Sequence, residues 1–364
     1  MSAVILSDPE RSDGQSKDLR LFLSFFGSPF RAGSIYQLLF WIFAPVGAGS
    51  SRLVVLEFGK MKKAIRIRAR YSSDNDVTLF HGDCLKLLKA IPDEVVQLVV
   101  TSPPYNVGKT YESRQTIDQY LEVQKAVIAE CVRITRPGGS ICWQVGNHVN
   151  GHQQIIPLDF LIDRLFSAHK KPAKIRLRNR IVWHFEHGLH CRLRFSGRHE
   201  TILWYTKGDK YTFNLDAVRV PQKYPGKRAY QGPNKGEFSG NPLGKNPGDV
   251  WVFPNVKNNH IEKTIHPCQF PVELPARLIL ALTNPGDLVV DPFLGVGTTA
   301  VAAVLCERAA AGADIVAEYV AIARDRVKQA FKRTLRFRPI SKPVYTPIPN
   351  TTLTIPPPHF RLEQ

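Results

Sequence analysis

The sequence predicts an α/β fold in which a mostly parallel sheet is wound with helices on both sides. Three observations support this. Apolar runs of strand length alternate with segments of helical spacing, and several of these runs end in loops rich in Gly or Pro. The chain has 364 residues, of which 43% are hydrophobic and 22% charged, so it is long and apolar enough to bury a large core.

The composition is strongly basic. Lys and Arg number 49 against 31 Asp and Glu, which gives a formal net charge of +18. Such an excess favours a polyanionic partner, with nucleic acid ahead of a membrane surface, although a merely soluble basic protein shares this feature. The six cysteines are irregularly spaced and form no CxxC pair, which favours reduced thiols in a cytoplasmic protein over a disulfide framework or a zinc site.

Residues 1–60 differ from the rest and are predicted to be an atypical N-terminal extension. The apolar run 35–49 contains Pro45 and is shorter than the roughly 20 residues that a membrane-spanning helix needs. The acidic, polar segment before it is not typical of a signal peptide. A plausible protein start follows at Met61, so we expect residues 1–60 to be translated upstream sequence. An N-terminal membrane-associated extension is the alternative, and mass spectrometry of the natural N-terminus would distinguish the two.

The alternating elements begin at residue 77. In the first half of the pattern, strands are predicted at 77–80, 95–100 and 140–145, a helix begins at 83, and a second helix spans 117–134 with Gln124 as the one polar residue on its apolar face. In the second half, helices are predicted at 270–282, 298–308 and up to about 331, with strands at 288–290 and 310–315. Between the halves, residues 207–260 hold six Pro, seven Gly and nine Lys or Arg, which indicates a loop-rich basic insert.

A glycine-containing loop, Asp291 to Thr299 (DPFLGVGTT), connects one of these strands to an Ala-rich helix. Gly295 and Gly297 allow a sharp turn and close approach of a ligand to the backbone. Asp314 ends the next strand, where a carboxylate in a nucleotide-binding fold accepts hydrogen bonds from ribose hydroxyls. Because the loop lacks both a third glycine and a GK[ST] phosphate motif, it predicts a ligand with a ribose but no pyrophosphate. A plain strand–turn–helix is the alternative.

A second loop, Thr101 to Tyr105 (TSPPY), also follows an apolar strand. Two adjacent prolines stiffen the backbone and leave carbonyl oxygens without competing N–H groups. Such a loop can present a side-chain oxygen and a carbonyl oxygen as paired acceptors beside an aromatic ring, which suits a planar amino group. An ordinary proline turn is the alternative.

Together with the segment His266 to Pro271 (HPCQFP), these loops resemble the DNA amino-methyltransferases that modify cytosine N4 or adenine N6. The order of catalytic loop, insert and cofactor loop is similar to that of their permuted β class, over about residues 77–333. The resemblance implies a permuted Rossmann-like fold that depends on S-adenosylmethionine. It divides the chain into a catalytic half (61–186), a target-recognition insert (187–260), a cofactor-binding half (261–337) and a Pro-rich tail (338–364).

The resemblance also implies roles for individual residues. The catalytic residues would be Ser102, Pro103, Pro104 and Tyr105. The cofactor-binding residues would be Asp83, Thr264, His266, Gln269, Asp291, Phe293, Gly295, Gly297, Thr298 and Asp314, and no metal is implied. Relatives often have Lys where this chain has Phe270.

The expected substrate is double-stranded DNA, and a cognate restriction endonuclease is a further expected partner. Basic residues expected to contact phosphates are Lys170, Lys171, Arg176, Arg178, Arg180, Arg192, Arg194, Arg198, Lys223, Lys227 and Arg228, although each could equally belong to a solvated face. The TSPPY loop resembles mostly that of the N4-cytosine enzymes, so the resemblance implies cytosine N4 as the target, with adenine N6 as the alternative.

Other functions predict different observations. A covalent C5-cytosine mechanism would use Cys268, but this residue precedes the cofactor loop and is expected to be a small packing residue, so Cys268→Ser should keep activity. A protein or small-molecule amine methyltransferase would not be inhibited by unmethylated duplex DNA. A non-catalytic DNA-binding module would bind DNA without methyl transfer. Residues His184, His187, His190 and His199 lack further ligands for a metal site and are expected to pack a strand pair around Trp183 and Trp204.

Overall fold

The computed structural model describes residues 64–106, 115–149, 154–171, 173–188 and 190–340, short parts of the tail, and the backbone of three earlier strands. It divides the chain into two units, 1–65 and 66–364. In the first unit, β1 (Ile5–Leu6), β2 (Leu39–Val46) and β3 (Ser50–Glu57) form an antiparallel sheet in the order β1-β3-β2. The expected start at Met61 lies outside the described residues.

The second unit contains the alternating elements. Its strands are β4 (Ile67–Arg68), β5 (Val77–His81), β6 (Val96–Thr101), β7 (Thr135–Val145), β8 (Asn147–Val149), β9 (Ile155–Pro157), β10 (Ile175–His184), β11 (His199–Lys207), β12 (Val250–Val252), β13 (Leu288–Asp291) and β14 (Ala309–Asp314). Its helices are α1 (Cys84–Ala90), α2 (Ile117–Ile134), α3 (Leu158–Ser167), α4 (Glu273–Leu282), α5 (Thr298–Leu305) and α6 (Ala317–Phe331), with a 3-10 turn at Leu215–Val218.

Nine strands form one sheet in the order β12-β10-β11-β7-β6-β13-β14-β5-β4. Strands β4, β5, β14, β13, β6 and β7 pair in parallel, and β11 is antiparallel to both of its neighbours. This mostly parallel sheet confirms the predicted Rossmann-like architecture. The predicted permuted order is present, because β6, which leads into the TSPPY loop, precedes in the chain its neighbour β13, which leads into the glycine-containing loop.

Helix α2 has the predicted bounds. Thr116 begins it with a capping box, accepting a hydrogen bond from the Gln119 amide while the Gln119 side chain accepts one from the Thr116 amide. The predicted apolar face is buried, and Gln124, the polar interruption, is buried with it.

The third predicted strand starts earlier than expected. A strand was predicted at 140–145, whereas β7 begins at Thr135 and includes residues 137–139 (PGG). Val96 pairs with Thr135 and Leu98 with Ser140, so the residues between Thr135 and Ser140 bulge out of the ladder. Gly139 makes this bulge possible, because a Cβ there would lie 2.9 Å from the Gln97 carbonyl oxygen.

The segment 187–260 contributes to the sheet as well as to loops. Strands β11 and β12 lie inside it and pair with β7 and β10, and the expected strand pair around Trp183 and Trp204 is β10–β11. Outside the strands, this segment contains the 3-10 turn and isolated bridges between Val220 and Lys245 and between Arg228 and Phe238. Among the described residues, no helix is both long and apolar enough to cross a membrane.

Candidate active site

The two loops singled out in the sequence end neighbouring strands. Parallel strands β6 and β13 pair through Leu98 with Val289 and through Val99 with Val290, so both chains leave the sheet at the same edge. The Thr101 hydroxyl donates a 2.7 Å hydrogen bond to Asp291 Oδ1, which joins the starts of the two loops directly. This edge is where open α/β sheets bind their ligands.

A cavity of about 830 Å³ opens between these loops. Eleven of the predicted site residues line it: Asp83, Ser102, Pro103, Pro104, Tyr105, His266, Gln269, Phe293, Gly295, Thr298 and Asp314. Phe270 also lines it. The volume is within the range of about 300–1,000 Å³ that small-molecule sites occupy.

Asp314 is held by the backbone around it. Its Oδ2 accepts from the Gly295 amide at 2.9 Å and its Oδ1 accepts from the Val316 amide at 2.8 Å. A carboxylate has about four acceptor positions, so two remain for a ligand. Burial raises the pKa of Asp314 above its ordinary value.

Three predicted cofactor residues, Thr264, Asp291 and Gly297, are not part of the cavity lining. Gly297 has a φ of +77°, and a Cβ there would lie 2.6 Å from the Ala323 Cβ, so this glycine permits packing of the loop on α6. The Thr264 hydroxyl donates to Gln269 Oε1 at 2.8 Å, which orients a side chain that does line the cavity. Sequence patterns do not distinguish residues that contact a ligand from residues that shape the loop behind it.

Asp291 is 1% exposed and organises both loops. Besides the bond from Thr101, its carboxylate accepts from the Thr299 hydroxyl at 2.7 Å and from the Phe293 amide at 3.1 Å. Burial raises the pKa of Asp291 to about 6, against the opposing effect of these three donors.

His266 is a neutral ring at the cavity wall. Burial and the positive charges of Lys263 and Arg326 lower its pKa to about 4. The Cys268 amide donates to His266 Nδ1 at 3.2 Å, which assigns the proton of the neutral ring to Nε2. His266 therefore presents a hydrogen-bond donor beside Gly295, where a Cβ would lie 3.3 Å from Nε2.

Sequence analysis did not predict a role for Arg326, a buried residue of α6. Its guanidinium donates to the Val296 carbonyl at 2.7 Å and to the Thr298 hydroxyl at 3.1 Å. It therefore holds the glycine loop from behind. An arginine on a helix with a regular polar pattern carries no sequence signal for this role.

A hydrogen-bonded chain that was also not predicted runs from Ser102 into the sheet. Ser102 Oγ lies 2.7 Å from the Tyr105 hydroxyl, and the Tyr105 hydroxyl donates to Glu200 Oε2 at 3.0 Å. Gln144 Nε2 donates to the same Glu200 oxygen at 2.6 Å. Gln144 and Glu200 line the cavity, and both come from strands, β7 and β11, rather than from a recognisable loop motif.

Cys268 corrects one expectation. It is exposed and lines the cavity, whereas it was expected to be a packing residue. Its position after His266 in an exposed turn leaves the side chain outside the core.

A second cysteine, Cys84, also lines the cavity. Burial raises the pKa of its thiol to about 12, so this thiol is protonated at neutral pH.

Several basic residues that were expected to contact DNA lie toward the opposite edge of the sheet. Arg176 pairs with Thr206 near the start of β10, about 23 Å along the strand from Trp183, which lines the cavity. Arg176 forms an ion pair with Asp209 at 2.7 Å, and Arg180 donates to Asp159. These contacts favour a structural role for Arg176 and Arg180. Arg178, between them on β10, bonds to Thr206 and Gly208, and Lys170 and Lys171 precede the strand.

Lys223, Lys227 and Arg228 belong to the lobe between residues 219 and 249, outside the cavity lining. Arg228 lies 4.2 Å from the ring of Phe238 and donates to the Gly236 carbonyl at 2.6 Å. These two contacts join Arg228 to residues of the same lobe.

Arg192, Arg194 and Arg198, in contrast, lie in the connection between β10 and β11 at the cavity edge of the sheet. We call residues 186–198 the β10–β11 hairpin loop. The Phe185 amide donates to the Arg198 carbonyl at 2.8 Å, which closes the base of this loop between the cavity-lining residues Phe185 and Glu200. Within the described part of the chain, neither Arg192 nor Arg194 forms an ion pair.

The described residues contain no group of three or more His, Cys, Asp or Glu side chains that could hold a metal ion. His184 and His199 face each other in the β10–β11 register, as members of the expected strand pair.

Comparison with known proteins agrees with this geometry. The family described as DNA methylase, of the N6/N4 type, matches residues 96–325. The chain is 51% identical to the type II methyltransferase M.BglII of Bacillus subtilis, over 67% of either chain. It is 34% identical to the DNA adenine methyltransferase YhdJ of Escherichia coli K12, over 70% of this chain and 83% of YhdJ.

Among solved structures, the PvuII DNA methyltransferase (cytosine-N4-specific) superimposes with a TM-score of 0.54 at 21% identity. The match covers 71% of this chain and 92% of that one. At this identity the likeness concerns the fold. With a family match over more than half of its residues, the chain belongs to the N6/N4 DNA methylases.

Proposed function

We propose that the protein transfers a methyl group from S-adenosylmethionine to the exocyclic amino group of a base in duplex DNA, with cytosine N4 as the favoured target. The observation that carries this proposal is the meeting of Ser102 and Gly295 in one cavity, at the ends of adjacent parallel strands. A donor and an acceptor bound there can approach each other directly.

The cavity residues fit S-adenosylmethionine. Asp314 keeps two acceptor positions for vicinal ribose hydroxyls, and Gly295, with a φ of +52°, allows close approach of a ligand to the loop. Phe293 offers an apolar wall, and the neutral His266 lines the same cavity. When bound, the cofactor supplies an activated methyl group on a positively charged sulfur. No positive side chain is required to activate it.

The Pro-Pro loop fits an amino group. The lone pair of an exocyclic amine is delocalised into the ring, so the nitrogen is a poor nucleophile. Acceptance of its two hydrogens by Ser102 Oγ and the Pro103 carbonyl would favour a tetrahedral nitrogen whose lone pair points at the methyl group. Tyr105 lines the same cavity, and we expect its ring to stack on the base. Catalysis then depends on positioning and electrostatics.

The β10–β11 hairpin loop is the DNA-binding surface that the structure supports best. Arg192 and Arg194 are exposed and suited to phosphate contacts. Between and beside them, the side chains of Leu193 and Phe195 are 86% and 100% exposed. Apolar side chains of this kind are inserted between base steps by proteins that distort DNA. A reaction on a base amino group requires such distortion, since the base has to leave the stack.

Two observations bear on the choice of base. Ser102 favours cytosine N4, and the similarity to YhdJ, a DNA adenine methyltransferase, supports adenine N6 as the second candidate. Similarity to M.BglII supports a role in a type II restriction–modification system, with a cognate endonuclease as partner.

The test is mass spectrometry of nucleosides from duplex DNA incubated with the protein and S-adenosylmethionine. We expect N4-methylcytosine, with sequence specificity revealed by sequencing the product. N6-methyladenine would select the second candidate. The proposal would be contradicted if neither base became methylated, or if the protein methylated a protein instead of DNA.

A further inference from the structure

Hydrogen bonds link Ser102 to Tyr105 and Tyr105 to Glu200. Glu200 determines which group donates and which accepts in each of them. An ionised carboxylate only accepts hydrogen bonds, so the hydrogen of the Tyr105 hydroxyl points to Glu200 Oε2, 3.0 Å away. The Tyr105 oxygen can then accept from Ser102, 2.7 Å away, which commits the hydrogen of the serine hydroxyl. The remaining lone pairs of Ser102 Oγ are left for a donor in the cavity.

Other contacts fix this arrangement. Gln144 donates to the same carboxylate oxygen at 2.6 Å, so two donors converge on Glu200 Oε2. The Tyr105 ring packs against Gly146, where a Cβ would lie only 3.2 Å from Tyr105 Cε2. A larger residue at 146 would displace the ring from Glu200.

We propose that Glu200 is a positioning residue that acts through Tyr105 to hold Ser102 as a hydrogen-bond acceptor toward the target amino group, and that it takes up the proton the amino group releases. This inference rests on the proposed function. It concerns a strand residue 98 positions after Ser102 that no sequence motif indicates.

The proton that the amino group releases can be followed through the hydrogen bonds from Ser102 to Glu200. As the nitrogen bonds to the methyl carbon, the donor sulfur keeps the electron pair of the broken C–S bond, and the nitrogen carries one hydrogen too many. That proton passes to Ser102 Oγ, the serine hydroxyl proton passes to Tyr105, and the tyrosine proton passes to Glu200 Oε2. Glu200 becomes a neutral acid and returns the proton to water in the cavity that it lines. Burial raises the pKa of Glu200, which makes its carboxylate a better proton acceptor.

The pH dependence follows from the same geometry. Below the pKa of Glu200 its carboxyl group can donate, so Tyr105 and Ser102 are no longer held in the required direction, and kcat should fall as the pH is lowered. The other titratable groups around the cavity are Tyr105 on the catalytic loop, His184 and His199 on β10 and β11, and, on the wall, Asp83, Cys84, Glu122, Lys257, His266, Cys268, Asp314 and Tyr319. Asp291, with a pKa of about 6, lies behind the wall.

The experiment compares kcat against pH for the parent enzyme, Glu200→Gln and Tyr105→Phe with duplex DNA. Glutamine keeps the shape but removes the charge, so we expect kcat to fall about 10- to 100-fold and its acidic limb to disappear. The double variant should lose little more than either single one, since both interrupt one chain. Glu122→Gln, at an exposed cavity carboxylate paired with Lys125, is the matched control and should keep the limb.

Persistence of the acidic limb in Glu200→Gln would assign it to another group, such as Asp291, and overturn the inference while leaving the proposed function intact. A second measurement is independent of catalysis. Tyr105→Phe removes one of the two donors to Glu200 Oε2, so the pKa of Glu200 in the free protein, followed by carboxyl ¹³C NMR, should rise further. An unchanged pKa would overturn the inference even if the parent enzyme failed to methylate DNA, a failure that would itself refute the proposed function.

Discussion

Asp291 shows how one buried carboxylate can organise an active site without lining it. Its three donors come from β6, the cofactor loop and α5, so it fixes the relative positions of the acceptor loop and the cofactor loop. Its burial is only partly offset by these bonds, as its raised pKa indicates. The contribution of Asp291 to the free energy of unfolding therefore depends on pH.

We expect Asp291→Asn to change the pH dependence of stability. A pKa raised from 3.8 to about 6 means that the folded state binds a proton more tightly than the unfolded state. The associated stability is complete below about pH 4 and is lost as the pH rises through 6, a change of up to about 3 kcal/mol. The unfolding free energy of the parent minus that of the variant, from denaturant titrations, should fall from pH 4 to 7. A difference that is flat with pH would contradict this.

Sequence analysis predicted residues of the two loops but not the residues that hold these loops in place. Ser102 and Phe293 were predicted because the motifs contain them, and Asp314 because it ends the next strand; all three line the cavity. Glu200 and Arg326 were missed because each acts through a contact with a residue distant in sequence. A single sequence carries no record of such contacts.

At the scale of elements, the connection between β13 and α5 depends on two glycines with different roles. Gly295, with a φ of +52°, lies on the cavity wall, and Gly297, with a φ of +77°, lies against α6. Sequence analysis correctly predicted the turn but assigned both glycines to the ligand. Backbone packing between α5 and α6 accounts for the second.

Gly297→Ala should therefore destabilise the fold more than a change that only strains the backbone. The new Cβ would lie 2.6 Å from Ala323 Cβ, so we expect a loss of about 2–4 kcal/mol from overpacking and the positive φ together. Gly286→Ala is the control, because its φ is +85° and nothing lies within 4 Å of the added Cβ. Equal losses of unfolding free energy in the two variants would refute the packing role.

The β10–β11 hairpin loop gives the second prediction at this scale. Arg192→Ala with Arg194→Ala should weaken DNA binding and reduce the slope of log K against log[salt] by about 1.8, since each phosphate contact contributes about 0.9. Lys171→Ala with Arg176→Ala removes the same charge from the opposite edge of the sheet and should leave the slope unchanged. The reverse result, measured by fluorescence anisotropy, would place DNA on the other edge.

For the whole molecule, the pairing of β6 with β13 in the sheet is the feature that makes the site. The sheet requires the acceptor loop and the cofactor loop at the ends of adjacent strands, and β6 and β13 satisfy this regardless of chain order. The sequence could predict the alternating elements because their periodicity is local. It could not predict that β11 and β12, within a segment expected to be an insert, extend the central sheet, since strand pairing is decided by packing.

The net charge of +18 also belongs to the whole molecule rather than to one surface. Some of the basic residues form internal ion pairs, such as Arg338 with Glu273 at 2.6 Å and Arg136 with Asp287 at 2.9 Å. Composition therefore predicted a polyanionic partner but could not locate the surface that meets it.

The most direct test of the account is single-turnover methyl transfer from labelled S-adenosylmethionine to duplex DNA by the parent enzyme and by Ser102→Ala, with binding of both ligands measured separately. Loss of the serine acceptor should slow transfer by about 100- to 1,000-fold and leave both affinities within a few-fold of the parent. Transfer by Ser102→Ala at the parental rate would contradict the claim that an acceptor loop and a cofactor loop form one site.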